Sequence, residues 1–102
     1  MEEVRPVKLR FAPRARTDIA DIYQYIARHN RTAATAIVRQ VRSTSQLLAS
    51  HPGLGRDTDI SGVRVIATAR YPYLVYRRVS GDQLVVIHIR DGRRDAPEEQ
   101  DL

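Results

Sequence analysis

The side chains of this chain that are able to move a proton or grip an anion are few in kind: three histidines, twelve acids and a large excess of arginine. His88 is the acid/base candidate, because an imidazole titrates near neutrality. It sits in an apolar run, Leu84 to Arg90, where alternate side chains share a face, so it is expected beside Val86 and Arg90. Cleaving RNA through its 2′-hydroxyl needs a base, an acid for the leaving oxygen and cations around the phosphate. A histidine next to an arginine on a strand also serves as a structural hydrogen-bonder or as part of a binding surface. Other constellations carry less. His29, His51 and His88 fall on separate elements, with no i,i+4 pair, and cysteine is absent, so neither a metal nor another cofactor is expected. Gly53-Leu54-Gly55 lacks the lysine and the strand-to-helix setting of a phosphate loop and is read as a turn. Asp18 and Asp21 fall early in a helix, where negative charge suits the dipole and Arg14 lies one turn away; both are read as surface stabilisers.

The arginines are the stronger signal. There are sixteen against one lysine, Lys8, and the net charge is +5. A guanidinium binds carboxylate or phosphate through two parallel hydrogen bonds, which lysine does not. The expected partner is therefore a polyanion, either nucleic acid or an acidic protein surface. Seven arginines lie between Gly62 and Arg94 against two acids, Asp82 and Asp91, and then Asp95, Glu98, Glu99 and Asp101 make an acidic end. Tyr71, Tyr73 and Tyr76 stand among Arg70, Arg77 and Arg78. That mixture stacks bases in single-strand binders, and it also supplies much of the energy of protein interfaces, which is the preferred reading here.

These residues must be held by a small set of elements. Val7 to Phe11 alternates apolar and basic residues as a short half-buried strand does. From about Pro13 to His29, Ala15, Ile19, Ile22 and Ile26 recur at helical spacing, with Pro13 suited to the first turn and Asn30 a stop. Thr32 is expected to cap a second helix running to about Ser50, with Ala34, Ile37, Val41 and Leu48 as its stripe. The short connection predicts an antiparallel helical hairpin. His51-Pro52-Gly53-Leu54-Gly55 is a breaker. Three strands follow, Val63 to Thr68, Tyr71 to Val79 and Gln83 to Arg90, the last two joined through Ser80-Gly81-Asp82. The order β-α-α-β-β-β predicts an α+β fold: an N-terminal strand, the hairpin, then a three-stranded antiparallel meander, in a mostly antiparallel sheet covered on one face.

One domain over residues 1–97 and a polar, frayed tail over 98–102 are expected. No apolar run approaches the length that spans a bilayer and no leader is evident, so a cytoplasmic protein without a membrane partner is the plain expectation.

Four segments resemble a known family. Phe11-Ala12-Pro13-Arg14-Ala15 with Asp18-Ile19-Ala20-Asp21-Ile22 and Tyr25-Ile26-Ala27 is similar to the first helix of ParE-type plasmid-stabilisation toxins of the ParE/RelE superfamily. His51 to Arg56 resembles the loop after that family's second helix, Tyr73-Leu74-Val75-Tyr76-Arg77 its central strand, and Ile87 to Asp95 its closing strand. The resemblance implies a toxin of a type II toxin–antitoxin system, a cognate antitoxin partner in a hetero-oligomer, and DNA gyrase as the target bound. The RelE branch would instead imply ribosome-dependent mRNA cleavage, and a domain without toxicity would be an antitoxin-binding module. RelE-like nucleases use arginines, lysines and a C-terminal tyrosine, or a glutamate with a histidine. Here the one lysine is Lys8, no tyrosine follows Tyr76, and Arg94 alone falls on the closing-strand arginine. His88 and Arg94 are the remaining catalytic candidates. Arg64, Tyr73, Tyr76, Arg77, His88, Arg90, Arg93 and Arg94 are the expected antitoxin- or target-binding residues.

Overall fold

The computed structural model describes residues 7–93 and Leu102. Its elements are β1 (Lys8–Phe11), α1 (Pro13–Ala27), α2 (Arg31–Ser50), β2 (Arg56–Asp57), β3 (Val63–Ala67), β4 (Tyr73–Ser80) and β5 (Gln83–Asp91). The fold is α+β, as the element pattern predicts. The sheet has five strands in the order β1-β5-β4-β3-β2. Two features add to the expected, mostly antiparallel sheet. β1 runs parallel to β5, pairing Phe11 with Val86, so the sheet is mixed. The two-residue β2 is an added edge strand, Arg56 opposite Val65 and Asp57 opposite Arg64.

Pro13 stands at the start of α1, where its missing amide hydrogen costs nothing. Ala15 is fully buried, and Ile19, Ile22 and Ile26 pack against the same core. The helix ends at Ala27, two residues before the expected end at His29. Asn30, expected only to end α1, caps α2 instead: its side chain accepts from Ala33 N at 3.0 Å and its backbone is extended. Thr32, expected as the cap, falls inside the first turn. Both are cap-type residues, and what decides is which one precedes the first helical residue. Along α2, Ala34, Ile37, Val41, Leu48 and Ala49 turn inward.

Between the helices and the sheet lies the main core, where Val75, Leu84, Val86 and Ile89 meet Ala15, Ile37, Val41 and Leu48. A second cluster of Val63, Val65 and Tyr76 lies on the other face of the sheet, with Ile60, Leu74, Ile87 and Leu102 packed against it. Leu102, expected in a frayed tail, is half-buried there; the rest of that tail, residues 98–101, lies outside the described residues, as do residues 94–97. Ser80 pairs with Gln83, so the β4–β5 hairpin closes over Gly81 and Asp82, and Gly81 takes the left-handed φ of 60° that such a turn demands.

Replacing Asn30 by Ala should remove about 1 kcal/mol of stability, the usual worth of a side-chain cap, whereas Thr32→Ala should change it by a few tenths at most. Urea unfolding of the two variants checks this, and the reverse ranking would refute the assignment of the cap.

Candidate partner-binding surface

The pairing of β4 with β5 contains an irregularity that decides where the predicted residues go. Tyr76 pairs with His88 but Arg77 pairs with Val86, leaving Ile87 as an extra residue. Such a bulge interrupts the alternation of a strand. Val86 and Ile89, three apart, therefore both belong to the core beneath the helices, while Ile87 packs on the outer cluster. His88 consequently does not share a face with Val86, as strict alternation required. It lies beside Tyr76, with ring centroids 5.7 Å apart.

The ring of His88 is held by α1. Asp18 Oδ2 lies 2.6 Å from His88 Nδ1 and accepts from Ile89 N at 3.1 Å, while Asp18 Oδ1 accepts from Arg14 Nε at 3.1 Å. This revises the reading of Asp18 as a surface stabiliser, for its side chain is 13% exposed and that of His88 is 8% exposed. Asp21 is exposed, as read from the sequence. Burial on its own would raise the Asp18 pKa, but the hydrogen bonds from His88, Ile89 and Arg14 outweigh it and hold the carboxyl below its ordinary value. An ionised carboxylate only accepts, so Nδ1 carries the proton of the shared bond.

Arg64 and Arg77 stand directly opposite each other on β3 and β4. Like charges so placed repel. The structure answers with acceptors: Arg64 donates to Gly53 O and to Asp57 Oδ1 (3.0 Å), and Arg77 Nη2 donates to Pro52 O. Pro52 and Gly53 follow the C-terminal end of α2, whose dipole also favours cations. Arg77 is buried, and burial together with the neighbouring Arg64 guanidinium lowers its pKa. Among the described residues its Nε has no hydrogen-bond partner.

Of the remaining expected residues, Tyr73 and Tyr76 are buried, one in each cluster, so their rings pack inside the fold rather than forming an open stacking platform. Arg90 is opposite Leu74 on the outer side. Arg93 is 77% exposed and binds Asp91 through Nε and Nη2 at 3.0 and 2.7 Å, a contact that raises its pKa. Arg94 lies outside the described residues. The described ones thus do not converge: Arg64 and Arg77 lie on the helix side of the sheet with Val75, whereas Tyr76, His88 and Arg90 lie on its other side. Arg78, named in the sequence only among the tyrosines and arginines of the interface mixture, and Arg56, which sequence reasoning missed, pair with Val63 and Val65 and so stand on the outer face too. Also missed was Asp18 as the partner of His88. Among the described residues no group of three or more His, Cys, Asp or Glu side chains is placed to hold a metal ion, and no helix is long and apolar enough to cross a membrane.

Comparison with known proteins gives this architecture its family. Residues 9–96 match the model of the ParE toxin of the type II toxin–antitoxin system parDE. The chain belongs to the ParE toxin family. The matched stretch runs from β1 through the hairpin and every strand to the residues after β5. A relative in Sinorhizobium fredii (strain NBRC 101917 / NGR234), named "Putative toxin Y4kP", is 30% identical over 83 residues, covering 79% of this chain and 86% of that protein. Among solved structures, the chromosomal ParDE toxin–antitoxin system of P. aeruginosa is similar at a TM-score of 0.76 and 24% identity, over 84% of this chain and 96% of that one. The toxin–antitoxin complex RelBE2 of Mycobacterium tuberculosis is similar at 0.63 and 16% identity, over 89% and 97% of the two chains. The ParE fold is therefore shared with a RelBE protein.

Asp18→Asn keeps the shape and removes the charge. It should lower stability by about 2 kcal/mol at neutral pH, the scale of a hydrogen bond to a charged group. A depressed carboxyl contributes fully above its ordinary pKa of 3.8, and that contribution is lost as the pH falls through the lower folded value. The variant should therefore show a shallower loss of stability on acidification below about pH 4. Denaturant titrations across the acid range measure both effects, and an unchanged acid limb in the variant would contradict them.

Proposed function

We propose that this ParE-family chain is a toxin that acts by binding DNA gyrase, without breaking a covalent bond, and that a cognate antitoxin neutralises it in a hetero-oligomer. The observation that carries the reading is the state of His88. A general base must reach the proton it removes, yet this imidazole is almost fully buried and one of its nitrogens is committed to Asp18. The cations that would stabilise a pentacoordinate phosphate are dispersed as well: Arg64 and Arg77 are engaged by the loop after α2 and Arg93 by Asp91. What the chain offers in quantity is guanidinium on a rigid sheet, which suits the gripping of an acidic macromolecule.

An antitoxin partner is supported by the similar structures, one described as a ParDE toxin–antitoxin system and one as a toxin–antitoxin complex. An acidic antitoxin segment would pair with the arginines of the C-terminal half, Arg90, Arg93 and Arg94 among them, and cover the surface that engages the target. The site of action is the cytoplasm, and the role in plasmid stabilisation belongs to the same reading.

Purified free of antitoxin, the protein should inhibit gyrase supercoiling and leave mRNA intact in a ribosome-dependent cleavage assay run beside it. Cleavage that is lost in a folded His88→Ala or Arg94→Ala variant would replace this reading with the endonuclease one. Silence in both assays would leave an antitoxin-binding module.

A further inference from the structure

The helical hairpin carries a charge excess of its own. Between Pro13 and Ser50 there are six arginines against two acids. One of those acids, Asp18, is turned inward to His88 and Ile89, so Asp21 on α1 is the exposed acid of the hairpin. α2 contains no acid at all, and its arginines, Arg31, Arg39 and Arg42, are all exposed. Elsewhere guanidinium groups are matched by carboxylates, Arg14 by Asp18, Arg64 by Asp57 and Arg93 by Asp91. Among the described residues the three guanidinium groups of α2 have no ion-pair or hydrogen-bond partner.

These arginines form a row. Arg31, Thr35, Arg39, Arg42 and Gln46 follow one another at three- and four-residue steps, which align side chains along one face of a helix. All five are exposed. The row begins where a cation costs stability, for Arg31 is the first residue of α2 and meets the positive end of the helix dipole. No acid in that first turn offsets it. Charge kept against a local rule is a mark of use outside the fold. Guanidinium groups bind phosphate through paired hydrogen bonds, and threonine and glutamine side chains also donate to phosphate oxygens. The row holds no aromatic side chain on which an unpaired base could stack. Arg31 and Arg42 are separated by about 16 Å of helix axis, more than the ~12 Å width of the major groove of DNA. A helix laid across that groove therefore reaches phosphates on both sides of it.

We propose that the exposed face of α2 is a docking surface for the phosphate backbone of duplex DNA, bound without regard to sequence. The surface belongs to the helical layer, so the open face of the sheet stays available, and one molecule can hold DNA and a protein partner together. The inference does not rest on the gyrase reading.

The test titrates the full chain, purified free of antitoxin, against a fluorescein-labelled DNA duplex of about 20 base pairs, read by fluorescence anisotropy. The dissociation constant should lie below about 100 µM at about 50 mM salt and rise about forty-fold at about 200 mM, as three neutralised phosphates require. Arg39→Gln should lower the slope of log affinity against log salt by about 0.9, and Arg31→Gln, Arg39→Gln and Arg42→Gln together by about 2.7. Glutamine is nearly as good a helix former as arginine, and circular dichroism checks that each variant is folded. Arg56→Gln combined with Arg78→Gln, on the sheet, should keep the wild-type slope. No binding at about 1 mM protein in low salt, an unchanged slope in Arg39→Gln, or an equal loss in the sheet variant overturns the surface on α2. Tighter binding of the single strand or of an RNA duplex than of the DNA duplex overturns the choice of partner.

Discussion

The carboxylate of Asp18 on the edge of β5 is the contact on which the placement of the rest depends. β1 stops at Phe11, and Ala12 N makes its last bond to that strand, donating to Val86 O. β5 continues to Asp91, so among the described residues its edge beyond Val86 has no strand beside it. A bare edge at that point would leave backbone donors under α1 without partners, at a cost comparable to a lost hydrogen bond. Asp18 takes the Ile89 amide and the adjacent imidazole together, and so fixes α1 against the sheet at the place where β1 has run out. The bulge at Ile87 belongs to the same arrangement, because it lets Val86 and Ile89 both face the helices while His88 turns away with Tyr76.

The arginine excess divides along the same two faces. On the inner side Arg64 and Arg77 are spent on structure, holding the carbonyls of Pro52 and Gly53 where α2 ends. Two opposed guanidinium groups are tolerated there because carbonyl oxygens, Asp57 and the negative end of a helix surround them. On the outer side Arg56, Arg78 and Arg90 ring an apolar cluster. A composition that reads as one basic region is thus two populations with different physical roles, one helping the chain fold and one facing outward.

The likeness of this fold to both a ParDE and a RelBE protein explains why architecture alone does not name a target. The hairpin-on-sheet layer buries its core equally well whatever stands on the outer face. Function therefore rests on which side chains the strands display, and here the proton-transfer candidate is tied into the scaffold while the cations remain.

Much of the architecture was legible in the sequence because it is periodic and local. The stripe Ala15-Ile19-Ile22-Ile26, the stripe of α2, the breaker at His51 to Gly55 and the Gly81 turn each follow from spacing within a few residues. The family likeness rested on the same segments. Tertiary structure alone decided the parallel pairing of β1 with β5, the edge strand β2, the bulge that turns His88 outward, and the bond between Asp18 and His88. Those features join residues up to 75 positions apart or shift a register by one. Local periodicity carries no record of either, since an acid on a helix looks the same whether it faces water or the end of a strand.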